Sequence, residues 1–113
     1  FSVGDYVKHL NPEEEYNKFT GTIGKFKPPY DIPKEEYKKY MRIVAIPANI
    51  MTQIHDYTVN RIDSRGMWDT SSTAADSDLV SASKEEIRIW AEKMRKCWNE
   101  KYPDNQITKS LEI

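Results

Sequence analysis

Phe1-Ser-Val-Gly-Asp-Tyr-Val-Lys-His-Leu10 is followed by Phe19-Thr-Gly-Thr-Ile-Gly-Lys-Phe26, and these two runs set the reading of the whole chain. Each clusters or alternates apolar and β-branched residues and is bounded by turn-forming residues, the pattern of short strands. Gly4 falls where a bend or a close backbone approach suits it, and Gly21 and Gly24 leave the second run little bulk on either face, which implies strong curvature. Working outward, Met41-Arg-Ile-Val-Ala-Ile46, Tyr57-Thr-Val-Asn-Arg-Ile62 and Asp78-Leu-Val-Ser-Ala82 repeat the pattern. Together they predict a mainly β (α+β) fold, a small bent barrel of about five strands.

The stretches between these runs differ in character. Asn11-Pro12-Glu13-Glu14-Glu15 reads as a turn and a solvated acidic loop. Lys27-Pro-Pro-Tyr-Asp-Ile-Pro33 must be extended or turning, because its prolines disfavour helix before them. Lys34 to Tyr40 is predicted as a short helix with Pro33 at its first turn and Tyr37 and Tyr40 on one face. Ala48 to His55 stays ambiguous: Ile50, Met51 and Ile54 have helical spacing in a short run. Residues 28–56 as a whole are longer than a barrel connection needs and read as an insertion. Asp63-Ser-Arg-Gly66 is a turn, Met67-Trp68-Asp-Thr70 the returning strand of its hairpin, and Ser71 to Ser77 a loop.

Residues 83–102 form the surest element. Ser83-Lys-Glu-Glu86 is a capping box, in which the serine hydroxyl takes the amide of residue 86 and the glutamate reaches back. Ile87, Trp90, Ala91, Met94, Trp98 and Tyr102 recur at helical spacing as one apolar stripe. Pro103 ends the helix. The expected organisation is one domain over 1–102, with 103–113 a mobile or loosely docked tail.

The chain has 113 residues, enough to bury a core without a metal or disulfide. Its 17 basic and 18 acidic residues nearly cancel, so no polyanionic partner is demanded. Residues 84–101 carry six Lys/Arg against four Glu, too small a surplus to imply nucleic acid. A single cysteine, Cys97, excludes an intrachain disulfide and fits a reducing compartment. No apolar run approaches the ~20 residues of a membrane span. No N-terminal signal is read, and cytoplasmic localisation is expected, although a start at Phe1 rather than Met leaves room for a preceding segment.

Val3-Gly4-Asp5-Tyr6-Val7, Gly21-Thr-Ile-Gly24, the pairing of Tyr57-Thr-Val with Met67-Trp68, and Asp78-Leu79-Val80 leading into a helix carry a resemblance. Over the first 82 positions the chain resembles the SH3-like small-barrel superfamily, including KOW- and Tudor-like barrels. The resemblance implies a bent first strand, a glycine-bearing second strand and a binding module rather than an enzyme. The aromatic motif of peptide-binding SH3 domains is absent near the first strand, so Pro-rich ligands are not implied. A compact barrel with a charged helix also looks like the small accessory proteins of phages and mobile elements.

His9 and His55 stand 46 positions apart and Cys97 sits in the helix, short of the four paired ligands of structural zinc, so no metal or cofactor is expected. Ser81-Ala-Ser-Lys84 matches S-x-x-K formally but is better explained as a strand-to-helix junction and cap. Cys97 lies beside the apolar stripe, where packing is its simpler role. No glycine-rich phosphate cradle is present, and no catalytic residue is assigned. Lys25, Lys27, Lys34, Lys38, Lys39 and Arg42 interleave with Phe26, Tyr30, Tyr37 and Tyr40, a strip suited to phosphates and bases but diluted by Asp31, Glu35 and Glu36. Protein binding needs the fewest assumptions: Lys27, Tyr30, Tyr37, Lys38 and Lys39 together with Trp68 form the expected partner surface. Trp90 and Trp98 either seal the barrel or project into a partner.

Overall fold

In the computed structural model the described residues are 1–11, 39–46 and 56–113. The expected strand at 19–26, the acidic turn at 13–15, the helix over 34–38 and the ambiguous run up to His55 lie outside them. The described residues form strands β1 (Tyr6–His9), β2 (Tyr40–Ala45), β3 (Asp56–Arg61), β4 (Ser72–Ala75) and β5 (Leu79–Ser81), then helix α1 (Lys84–Lys101). Tyr40, expected at the end of a helix, instead opens β2.

The five strands make one sheet in the order β4-β3-β2-β1-β5, and every pairing is antiparallel. Register is fixed by alternation. Val7 opposes Met41 on one side and Ser81 on the other, and Met41 opposes Arg61. Slipping any strand by one residue would turn its buried set to the opposite face. The register shifts between Ile43 and Ala45, a bulge that bends β2. Before β1, Gly4 takes a φ of 94° in a turn closed by the Asp5 amide donating to the Ser2 carbonyl, and the Gly4 amide donates to Ile43. An added Cβ would meet nothing within 4 Å, so conformation rather than space calls for glycine here.

The barrel closure expected from the sequence is not observed: among the described residues the sheet is open, with β4 and β5 as its edges. It is nonetheless strongly curled. Four residue steps from Ala75 to Leu79 span at most ~14 Å, whereas a flat sheet would hold its outermost strands at least ~19 Å apart. The short 3-10 turn Asp76–Asp78 makes that crossing. The returning strand also lies later than the sequence suggests. Trp68 makes only an isolated bridge to Ile62, and the continuous ladder with β3 runs through Ser72–Ala75, read from sequence as loop. Small side chains hid this strand, since edge pairing there depends on backbone and buries little beyond Ala74.

Each face of the sheet carries its own core. Val7, Met41, Ile43, Tyr57, Val59, Ala74 and Leu79 cluster on one face. On the other, Ile62 meets Ile87, Trp90, Ala91 and Met94 of α1. Of the stripe expected on the helix, Ile87, Trp90, Ala91 and Met94 pack in this core, Trp98 and Tyr102 are half-buried beyond it, and Ile89 is exposed. Ser83 Oγ accepts from the Glu86 amide at 3.1 Å and Glu86 Oε2 accepts from the Ser83 amide at 2.8 Å, completing the capping box. The tail is docked: Leu111 and Ile113 pack against the α1 cluster.

Candidate functional site

Sheet geometry places the site. On the α1-facing side, the antiparallel ladders align Tyr6 of β1 with Arg42 of β2 and Asn60 of β3. The adjacent row runs from Val80 through Lys8 to Tyr40. The turn after β3 then folds Trp68 over the first row. Asp63 builds that turn: its Oδ1 accepts from the Arg65 and Met67 amides at 2.9 and 3.1 Å, and its carbonyl accepts from Gly66. Gly66 holds a φ of 76°.

Trp68 is half-buried, and both its ring and its indole N–H have partners. Its ring lies nearly parallel to Tyr6, 6.2 Å between centroids and 13° between planes. The Arg42 guanidinium lies 4.6 Å from its centroid, within cation–π range. Arg42 is itself oriented by donating Nε–H to Asn60 Oδ1 at 2.9 Å. The indole N–H of Trp68 donates to the Glu112 carbonyl at 2.8 Å. Lys39, just before β2, places its ammonium 5.6 Å from the Tyr40 centroid, and Tyr40 in turn lies 6.1 Å from Trp90. A mixed cationic and aromatic band thus crosses the sheet under α1.

Of the residues expected to contact a partner, Lys39 and Trp68 belong to this band. Lys27, Tyr30, Tyr37 and Lys38 lie outside the described residues. Tyr6 and Asn60 were not singled out from sequence. The strand alternation that puts Tyr6 on the face of Lys8 was available, but the register that sets it against Arg42 was not. Trp90 is 5% exposed and packs inward, with its indole N–H buried and without a hydrogen-bond acceptor among the described residues. Trp98 is half-buried, 4.4 Å from the Tyr102 ring, and donates to the Asn105 carbonyl. Both tryptophans therefore serve the helix and its terminus.

Other polar groups have structural partners. His9 is buried and accepts the Asn11 amide at Nδ1. The Ser83 hydroxyl is occupied by the helix cap. Tyr57 donates to Asp76 Oδ1 at 2.6 Å, and that bond raises its pKa, keeping the phenol protonated. Among the described residues no three His, Cys, Asp or Glu side chains gather as a metal site, and no helix is long and apolar enough to cross a membrane.

One ion pair ties the site's sheet to the helix. Lys8 Nζ lies 2.7 Å from Glu86 Oε1. The lysine hydrogen bond, aided by the Ser83 amide, lowers the Glu86 pKa to about 2 from an ordinary 4.5. The folded state therefore holds its proton less tightly than the unfolded one. Stability from this group is fully present above pH 4.5 and is lost as pH falls from there through about 2. With the glutamate side chain 36% exposed, solvent screening limits the effect to about 1 kcal/mol. Glu86→Gln is expected to flatten this part of the acid limb in urea melts taken from pH 5 to 2. An unchanged limb would remove the pair from the account.

Comparison with protein-family models, with curated proteins and with solved structures found no match for this chain.

Proposed function

We propose that the chain is a non-enzymatic protein-interaction module built on an SH3-like small barrel. Its contact surface is centred on Trp68, with Lys39 beside it and Lys27, Tyr30, Tyr37 and Lys38 contributed by the insertion. The observation that carries this reading is the half-buried Trp68 ring, set against both Tyr6 and Arg42 by a short, well-bonded turn. Tryptophan and arginine in a fixed, partly desolvated arrangement are the side chains that dominate binding energy at protein interfaces. The fold half of the reading is supported by the curl of the sheet, the bulge in β2 and the return of β5 to the side of β1. In keeping with the resemblance noted above, the setting proposed for it is that of a phage or mobile-element accessory protein.

A second reading, a KOW/Tudor-like nucleic-acid binder, is favoured by one further feature. Among the described residues, two cations of the band lie over aromatic rings that are not fully buried: Lys39 over Tyr40 and Arg42 over Trp68. Such pairs offer a phosphate contact beside a stacking face.

Affinity capture with the unaltered chain and with Trp68→Ala and Lys39→Glu, each with and without nuclease, tests both. A protein retained after nuclease and lost about tenfold or more with Trp68→Ala is the expected result. Retention abolished by nuclease, with affinity falling steeply as salt rises, would replace it with the nucleic-acid reading. Retention indifferent to both substitutions would move the contact surface elsewhere.

A further inference from the structure

Residues 106–113 are held in an unusual way. The chain leaves the turn Pro103–Asn105 through an extended Gln106 and then runs beside α1 back to Trp68. Asn99 reads both polar groups of one residue: its Oδ1 accepts from the Ile107 amide at 2.7 Å and its Nδ2 donates to the Ile107 carbonyl at 3.1 Å. Trp68 donates to the Glu112 carbonyl. Arg95, which also pairs with Glu92, donates to Ser110 Oγ at 3.3 Å and, at 3.5 Å, weakly to the Thr108 carbonyl. Asn99 and Trp68 thus grip main chain, which every peptide presents alike.

Choice among peptides comes from the side chains. Within the segment Ile107, Leu111 and Ile113 are half-buried, whereas Gln106, Thr108, Lys109, Ser110 and Glu112 are exposed. Leu111 and Ile113 pack against the cluster of Ile62, Ile87, Trp90, Ala91 and Met94. Main-chain bonds for affinity with spaced side chains for specificity is the way proteins take up extended peptides. Beside the segment, an open groove continues between Lys96, Asn99 and Glu100 of α1 and Pro103 and Ile107.

We propose that the trough between α1 and the Trp68 turn is a recognition site for an extended segment of a partner protein. The segment it takes has apolar residues at relative positions one, five and seven, and Gln106–Ile113 holds the trough in cis. The inference rests on the interaction-module reading, to which it adds the chemistry of the partner and a built-in competitor. Tethered by a short turn, the internal segment acts at an effective concentration of about millimolar. A partner must therefore displace it or be presented at high local concentration.

The test uses a fluorescein-labelled peptide, Gln-Ile-Thr-Lys-Ser-Leu-Glu-Ile, titrated by anisotropy into the full chain and into the full chain carrying Leu111→Ser and Ile113→Ser. Binding about tenfold or more tighter to the double variant is expected, because its internal competitor is weakened. Adding Asn99→Ala to the double variant should reduce that binding about tenfold. Equal affinity for the two chains, or no binding to a double variant whose near-ultraviolet circular dichroism shows intact packing, overturns the proposal. Should the double variant lose its fold, the 15N-labelled unaltered chain with unlabelled peptide at ~millimolar excess decides the matter through the Ile107 amide resonance, which loses its bond to Asn99 Oδ1 when the tail is displaced. A shifted or doubled resonance supports displacement and an unmoved one refutes it. If the peptide fails while a captured protein still depends on Trp68, the trough proposal alone falls. If both fail, so does the interaction-module reading.

Discussion

Gly66→Ala is expected to destabilise the protein by about 3 kcal/mol, more than other single-methyl additions to its turns. Two costs coincide at this position. The backbone φ of 76° is left-handed, which costs an L-residue with a Cβ roughly 1–2 kcal/mol. A Cβ there would also stand well inside contact distance of the Ala91 carbonyl oxygen and only 3.1 and 3.2 Å from Arg95 N and Cβ. These are helix backbone and a fixed stem, so the turn must move away from α1, at a further cost of roughly 1–3 kcal/mol. Gly4→Ala separates the two contributions. Its φ is 94° but nothing lies within 4 Å, so only the conformational cost of about 1 kcal/mol is expected. Thermal or urea unfolding of both variants checks this. Equal losses at the two glycines would show that the turn and the helix do not touch.

Ile87→Ala should be comparably severe, at about 3–4 kcal/mol. Ile87 is 0% exposed, between Ile62 of the sheet and Trp90 and Ala91 of its own helix. Truncation removes three carbons and leaves a cavity walled by a sheet on one side and a long helix on the other, neither of which collapses easily. Two residues on, Ile89 is 61% exposed, and Ile89→Ala should change stability by less than about 0.5 kcal/mol. Urea unfolding of the pair measures whether the apolar stripe of α1 carries the packing. Similar losses at both positions would mean that it does not.

Elements that specify themselves locally were legible. The box Ser83-Lys-Glu-Glu86 and the 3.6-residue stripe after it determine α1 without reference to the rest of the chain. The runs around Val7, Ile43, Val59 and Leu79 alternate or cluster strongly enough to mark β1, β2, β3 and β5. β4 was missed because Ser72-Thr-Ala-Ala75 has no large side chain to alternate, and its pairing is a property of the neighbour it meets. Barrel closure could not be read from strand count, since closure depends on where the edges lie and not on how many strands there are. The site was half legible. Trp68 stands out by residue type, and Lys39 by its place in a basic and aromatic run. Tyr6 joins them only through cross-strand register, and Asn99 only through the path of residues 106–113, neither of which is encoded at the residue itself.

β1 lies between β2 and β5, so the first strand made is hydrogen-bonded to the last. On a ribosome, Val7 has no partner at Ser81 until the 74 positions that separate them have been synthesised, and α1 follows later still. Native structure thus depends on contacts of high sequence separation, whose loop entropy must be overcome before they return any stability. The domain is expected to fold only after its helix has emerged, as one cooperative event and on the slower side for its size. Until then the β1 edge and the apolar rows of β2 and β3 stand open, and this nascent interval, rather than the finished fold, is when the chain is most exposed to aggregation and proteolysis.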